Sequence, residues 1–230
     1  MELSFDTSGL VPSEDGWYDP ATGDQFWVSH SRGAYLSVPL NDVGAVRRVL
    51  VETVLNRPAG VVEAFVVGVD ALPGLLYVVK VPKADAPQGL TFMASIVVPR
   101  AHSYAMVCGA FAEGPVTGIR EATVLEEMLA AGGPSSQMWP PHPYAPDLEP
   151  GIPYNIADEM RWDERFPDHP LTRLRRWVAR VTRPSGWGAS SPPCRRSRCV
   201  RRKRRVFRTA CRCTPAPLPR SDRASRRSPR

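Results

Sequence analysis

The chain has 230 residues, with 30 Lys/Arg against 23 Asp/Glu, five Cys and 25 Pro. That length fits one large domain or two small ones, and no apolar run approaches the ~20 residues that span a bilayer. The net charge of +7 hides two opposite parts: residues 184–230 hold 15 basic residues and one acid, net +14, whereas residues 1–183 hold 15 basic and 22 acidic, net −7. The whole-chain balance therefore describes neither part.

The first 15 residues lack a basic segment followed by an apolar one, so no secretory signal is expected. They are polar, punctuated by Gly, Pro and Asp, and read as a lead-in with at most one short strand. Aromatic density rises at Gly16-Trp17-Tyr18-Asp19-Pro20, and Ala21-Thr22-Gly23-Asp24 reads as a turn. Segments 25–30 and 34–38 mix β-formers with polar residues, as strands near a sheet edge do. Asn41 stands where an N-cap would stand. Val43, Val46, Leu50 and Val54 follow at helical spacing, and Pro58 and Gly60 end the helix.

Four β-type segments come next, at 61–69, 75–81, 90–98 and 103–112. Their connections are short enough for antiparallel neighbours, which predicts a meander. The first two are nearly continuously apolar, so they need cover on both faces of the sheet. After Thr117, a plausible N-cap, Ile119, Ala122, Leu125 and Leu129 form a helical stripe, with Val124 and Met128 beside it and Gly132-Gly133 as the stop. This helix is expected to supply the second layer.

Residues 134–153 hold seven prolines in 20 positions, which excludes helix and interior strand. The stretch is expected to be extended, partly polyproline II. Its Pro140–Pro146 run has the PxxP spacing that SH3-type grooves accept; the plainer reading is that it crosses the domain's own surface, with Trp139 and Tyr144 packed inward. A short charged helix is expected over 157–165. Asp168 then looks like an N-cap ahead of Pro170, and Leu171, Leu174, Trp177, Val178 and Val181 form an apolar stripe, with Arg173, Arg175, Arg176 and Arg180 mostly off it.

The tail, 184–230, has only Val200, Val206, Phe207 and Leu218 from the Val/Ile/Leu/Phe set among 47 residues. That is too little apolar surface to offset the entropy of ordering, so it is expected to be disordered alone. Arg195, Arg196, Arg201, Arg202, Lys203, Arg204 and Arg205 could release counterions from a nucleic-acid backbone. An anionic membrane surface would attract the same charges. A GC-rich coding region read out of frame gives the same composition, so an artefactual tail is a third reading. Its cysteines, Cys194, Cys199, Cys211 and Cys213, lack two knuckles of zinc-ligand spacing and read as unpaired thiols.

The chain lacks G-x-S-x-G, the phosphate-binding G-x-x-x-x-G-K-[ST], C-x-x-C and H-E-x-x-H. Cys108, inside an apolar strand, reads as a buried inert thiol and fits a reducing compartment. His30, His102, His142 and His169 read as surface or capping histidines, and Asp158, Glu159, Asp163 and Glu164 as a solvated face. No catalytic residue, metal ligand or cofactor is expected from these patterns.

The segment 161–181, with its Phe166-Pro167-Asp168-His169-Pro170-Leu171 run, resembles the C-terminal end of small uncharacterised proteins of high-GC bacteria. There this run opens a basic amphipathic helix near the chain end. The element order over about 17–131 is similar to the Mog1/PsbP-like topology, a sheet between helices. Neither resemblance implies catalytic residues. The first implies a chain that stops soon after the helix, from which the tail departs.

The sequence thus predicts an α+β chain. An antiparallel meander with helices on both faces (three layers) occupies 1–131, a Pro-rich wrap 132–155, a C-terminal helical segment 156–183 and a disordered basic tail 184–230. The leading functional expectation is a non-enzymatic cytoplasmic protein that binds another protein through Arg173, Arg176 and Trp177. The alternatives are nucleic-acid binding through the tail, and an enzyme without a local motif.

Overall fold

The computed structural model describes residues 5–69, 72–84 and 86–182. They belong to one compact unit, Met1–Ser190; a second unit, Ser191–Arg230, lies outside the described residues. The expected disordered tail, its polyanion-binding residues and its four cysteines fall outside them as well.

The fold is α+β, built on one antiparallel sheet of seven strands in the order β1-β2-β3-β7-β6-β5-β4. The strands are β1 (Val11–Ser13), β2 (Gly16–Tyr18), β3 (Gln25–Arg32), β4 (Gly60–Val69), β5 (Leu72–Pro82), β6 (Leu90–Pro99) and β7 (Ser103–Ala112). The four apolar segments form the expected meander. β3 then pairs with β7 along its whole length, from Gln25 opposite Ala110 to Arg32 opposite Ser103. The lead-in carries one short strand, β1, as expected, but residues 34–38 form no strand. Tyr35, Leu36 and Val38 instead pack onto the sheet from a loop.

Residues of the sheet strands feed two cores, one on each face. Val61, Ala64, Leu75 and Val97 face helix α1 (Val43–Val54), which contributes Val46, Leu50, Val51 and Val54. Leu76, Val78, Ile96, Val107, Phe26, Phe92 and Phe111 face helix α3 (Pro170–Val181), which contributes Leu171, Leu174, Trp177 and Val181. This two-sided burial is what the unbroken apolar runs require. Gly109 makes room for it: a Cβ there would lie 2.9 Å from the Phe111 ring and 3.2 Å from the Trp177 ring.

Helix α2 (Ile119–Ala130) is not the second layer. It packs outboard, against short 3-10 turns at Ser135–Met138 and Ile156–Asp158, through a small core of Val124, Met138 and Ala157. The layer opposite α1 is α3. The expected helix over 157–165 is replaced by two 3-10 turns, Ile156–Asp158 and Met160–Trp162. Each predicted N-cap moves by one residue. Asp42 caps α1, Gly118 (φ 72°) opens α2 without a side-chain cap, and His169 caps α3.

The Pro-rich stretch covers the edge strand β4. Tyr144 Oη accepts from Ala64 N at 3.2 Å, His142 Nε2 lies 3.0 Å from the Val61 carbonyl, and Ile152 N donates to Ala59 O at 3.0 Å. A Cβ on Gly60 would lie only 2.2 Å from Ile152 O, so the two backbones meet there. Tyr144 packs inward as expected, but Trp139 stays about half exposed. Among the described residues, no helix is long and apolar enough to cross a membrane.

Candidate functional site

A cleft of about 410 Å3 lies where α2 and α3 begin. Val116, Ile119, Phe166, Pro167 and Pro170 supply apolar wall, and Glu113, Arg165, Asp168, His169 and Arg173 supply charge and polarity. The backbone is fixed at both helix starts. Glu113 follows β7, and its carboxylate accepts from Leu90 N at 2.7 Å and Gly118 N at 3.1 Å. His169 Nδ1 accepts from Leu171 N at 3.2 Å, and Pro170 occupies the first turn, where a missing N–H costs nothing.

Beneath the cleft lies a buried ionic network that the sequence does not announce. Arg120, 1% exposed, donates to the carbonyls of Ala157 (2.6 Å) and Glu159 (2.8 Å) and to Asp163 Oδ1 at 2.9 Å. Arg175 bridges Asp163 and Glu63, each at 2.9 Å, and so ties α3 to β4. Lys80 meets Asp158 at 2.5 Å. Asp158 and Asp163 are therefore not a solvated face, and Arg175 is not an outward charge. An arginine adjoining an apolar stripe reads as exposed until the carbonyls that satisfy it are known.

The three residues expected to bind a partner are placed differently from one another. Trp177 is 2% exposed, in an aromatic cluster with Phe26 (5.3 Å between ring centres), Phe111 (5.9 Å) and Phe5 (6.2 Å), so it is core rather than surface. Arg173 forms a two-toothed pair with Asp24, at 2.9 and 2.8 Å, and also reaches Asp168 O. Only Arg176 faces solvent, donating to Pro167 O at 3.0 Å. The helix stripe continues the core because Trp177 fills the space above Gly109.

His30 and His102 are exposed, and His169 is a cap, as expected. His142 is buried, not superficial, and burial lowers its affinity for a proton. Burial, then Arg120, Arg173 and Arg175, push the His169 ring down to about 3. Burial raises the Glu121 acid, with Glu113 and Asp158 adding to it. The Cys108 thiol is buried, free and pushed up to about 11, as an inert core cysteine should be.

The feature of α2 that helical periodicity placed in the core is outside. Ile119 is 55% and Leu129 50% exposed, with Val116 at 67% just ahead of them. The buried face is instead that of Arg120 and Val124.

No family model matches the chain, and no curated protein does. Among solved structures, the chain is similar to a protein of unknown function from Pseudomonas aeruginosa. The two share 12% identity over 56% of this chain and 81% of that one, with a TM-score of 0.31, a likeness too remote to carry fold or function across.

Proposed function

We propose that this is a cytoplasmic, non-enzymatic protein that works by binding another protein, and that the partner sits on the outer face of α2 and the adjoining cleft. The observation that carries the reading is a set of exposed apolar side chains, Val116 just ahead of α2 and Ile119 and Leu129 on it. Exposed apolar side chains gathered on one surface serve as anchors for an amphipathic or apolar segment of a partner. The cleft beside them offers a pocket for one inserted side chain, which is how most interface energy is concentrated. Trp177 lies in the core and takes no part, while Arg176 is exposed and donates to the carbonyl of Pro167 in the cleft wall.

The test is a photo-activated cross-linking residue placed at position 119 and, separately, at Glu52, an exposed position on α1. Position 119 should give one discrete adduct in cells, and the Leu129→Asp variant should lose it while keeping its helix content. Equal adducts from both positions, or an adduct indifferent to Leu129→Asp, would overturn the reading.

A second reading rests on the +14 charge of residues 184–230. It has these residues bind a polyanion without sequence preference, with affinity falling steeply as salt rises. Removing 184–230 should abolish both the binding and its salt dependence.

A further inference from the structure

Glu113 and His169, which line the cleft, meet Glu121. They come from three places in the chain: the end of β7, the first turn of α2 and the cap of α3. One carboxylate oxygen from each glutamate and one ring nitrogen all lie within 4.8 Å of one another. The other buried charges of this region are matched, Arg173 by Asp24, Arg175 by Glu63, Arg120 by Asp163 and Lys80 by Asp158. Glu113 and Glu121 enter no ion pair among the described residues. Moreover, Glu121 Oε2 and His169 Nε2 are shut off from water and have no hydrogen-bond partner. Two carboxylates so close together, one 7% exposed, repel each other, and the cations nearby are already held by other acids. Buried polar atoms left unpaired are uncommon in folded proteins and point to a missing group.

We propose that Glu113, Glu121 and His169 bind a first-row divalent cation, of the kind that accepts carboxylate oxygen together with imidazole nitrogen. Two carboxylates neutralise its charge, and three protein donors leave coordination positions unfilled by the protein. Glu113 is already held by the Leu90 and Gly118 N–H groups, and each of its oxygens keeps a lone pair. Because His169 Nδ1 accepts from Leu171 N, the neutral ring carries its proton on Nε2 in the metal-free state. Coordination through Nε2 moves that proton to Nδ1 and gives up the Leu171 contact. The cation would then cross-link the starts of α2 and α3. This inference does not depend on the partner reading, since binding of the ion is measured on the protein alone.

Manganese(II) is the probe for the full chain, because the tail thiols prefer softer ions. Electron paramagnetic resonance should report one saturable site with nitrogen coupling from a single imidazole. Glu121→Gln should weaken it about tenfold or more, while Glu126→Gln, an exposed carboxylate on the same helix, should leave it unchanged. His169→Asn keeps an acceptor at the α3 cap and should remove the nitrogen coupling. Absence of saturable binding up to about 1 mM, the weak end for biological cation sites, overturns the proposal. So does an affinity unchanged by Glu121→Gln, or coupling that survives His169→Asn.

Discussion

Lys80 Nζ lies 2.5 Å from Asp158 Oδ2, with both side chains almost wholly withdrawn from water. The ammonium comes from a sheet strand and the carboxylate from a 3-10 turn 78 residues later, so the pair pins the C-terminal segment to β5. Asp158 also accepts from Asn155 N at 3.0 Å, closing a capping box. Replacing only the lysine, by Lys80→Met, strands a buried anion and should cost about 3–5 kcal/mol. The double variant Lys80→Met/Asp158→Asn should recover much of that loss. Urea denaturation of the four-member cycle measures the coupling, and purely additive effects would show that the pair contributes nothing.

Trp177 is the centre of the larger core. Trp177→Ala should destabilise the fold by about 3–5 kcal/mol, since it empties the space above Gly109. Trp177→Phe should cost less. The indole Nε1 is buried without a hydrogen-bond partner, so its loss removes an unpaired donor along with some volume. Chemical denaturation of both variants gives the comparison, and a Trp177→Ala protein as stable as the parent would mean that the residue is not packed as described.

His142 gives the Pro-rich segment a pH dependence. Its Nδ1 accepts from Tyr144 N at 3.1 Å, so the neutral ring donates from Nε2 to Val61 O. A proton added at Nδ1 would face the Tyr144 N–H and break that contact. Burial, opposed only in part by the Val61 carbonyl, lowers the pKa in the fold. The unfolded chain therefore takes up the proton first as pH falls through about 6.5, the ordinary histidine value. Stability from this residue is complete above that pH and is lost below it. The expected result is a decline in stability from pH 7 to pH 5 that His142→Asn makes shallower, the remainder coming from the buried His169. Parallel pH profiles for the two proteins would contradict it.

The orientation of α2 is open to a direct check. Ile119→Asp and Leu129→Asp place a charge at exposed positions and should change stability by no more than about 0.5 kcal/mol. Val124→Asp, on the buried face of the same helix, should prevent stable folding, because it buries a charge without a partner. Thermal denaturation separates the two classes, and loss of fold in Ile119→Asp would show that the stripe is core after all.

Much of the sheet was legible because strands buried on both faces leave continuous apolar runs that few other structures tolerate. The segment expected at 103–112 is β7, Ser103–Ala112, to the residue. Helix α1 was legible for a related reason: its apolar stripe, Val46, Leu50 and Val54, meets one broad partner, the sheet. The residues of the candidate site were not. Arg120 looks like a surface charge in any window of sequence, and its burial depends on carbonyls of Ala157 and Glu159 some forty residues away. The same holds for Glu113, Glu121 and His169, which share no local spacing and meet only when β7, α2 and α3 come together.

Composition and periodicity alone determined the class of the fold, the meander, the helical nature of α1, α2 and α3 and the division of charge between body and tail. These are properties of short windows, set by side-chain size, polarity and the repeat of helix or strand. Only the tertiary structure decided that α2 turns its Arg120 and Val124 face inward, that α3 rather than α2 covers the second face of the sheet, and which acids and bases are buried together. Periodicity fixes that a helix has an apolar side. It does not fix which neighbour arrives to cover it, and where hydrogen-bond acceptors await a guanidinium, a charged side can be the one that is buried.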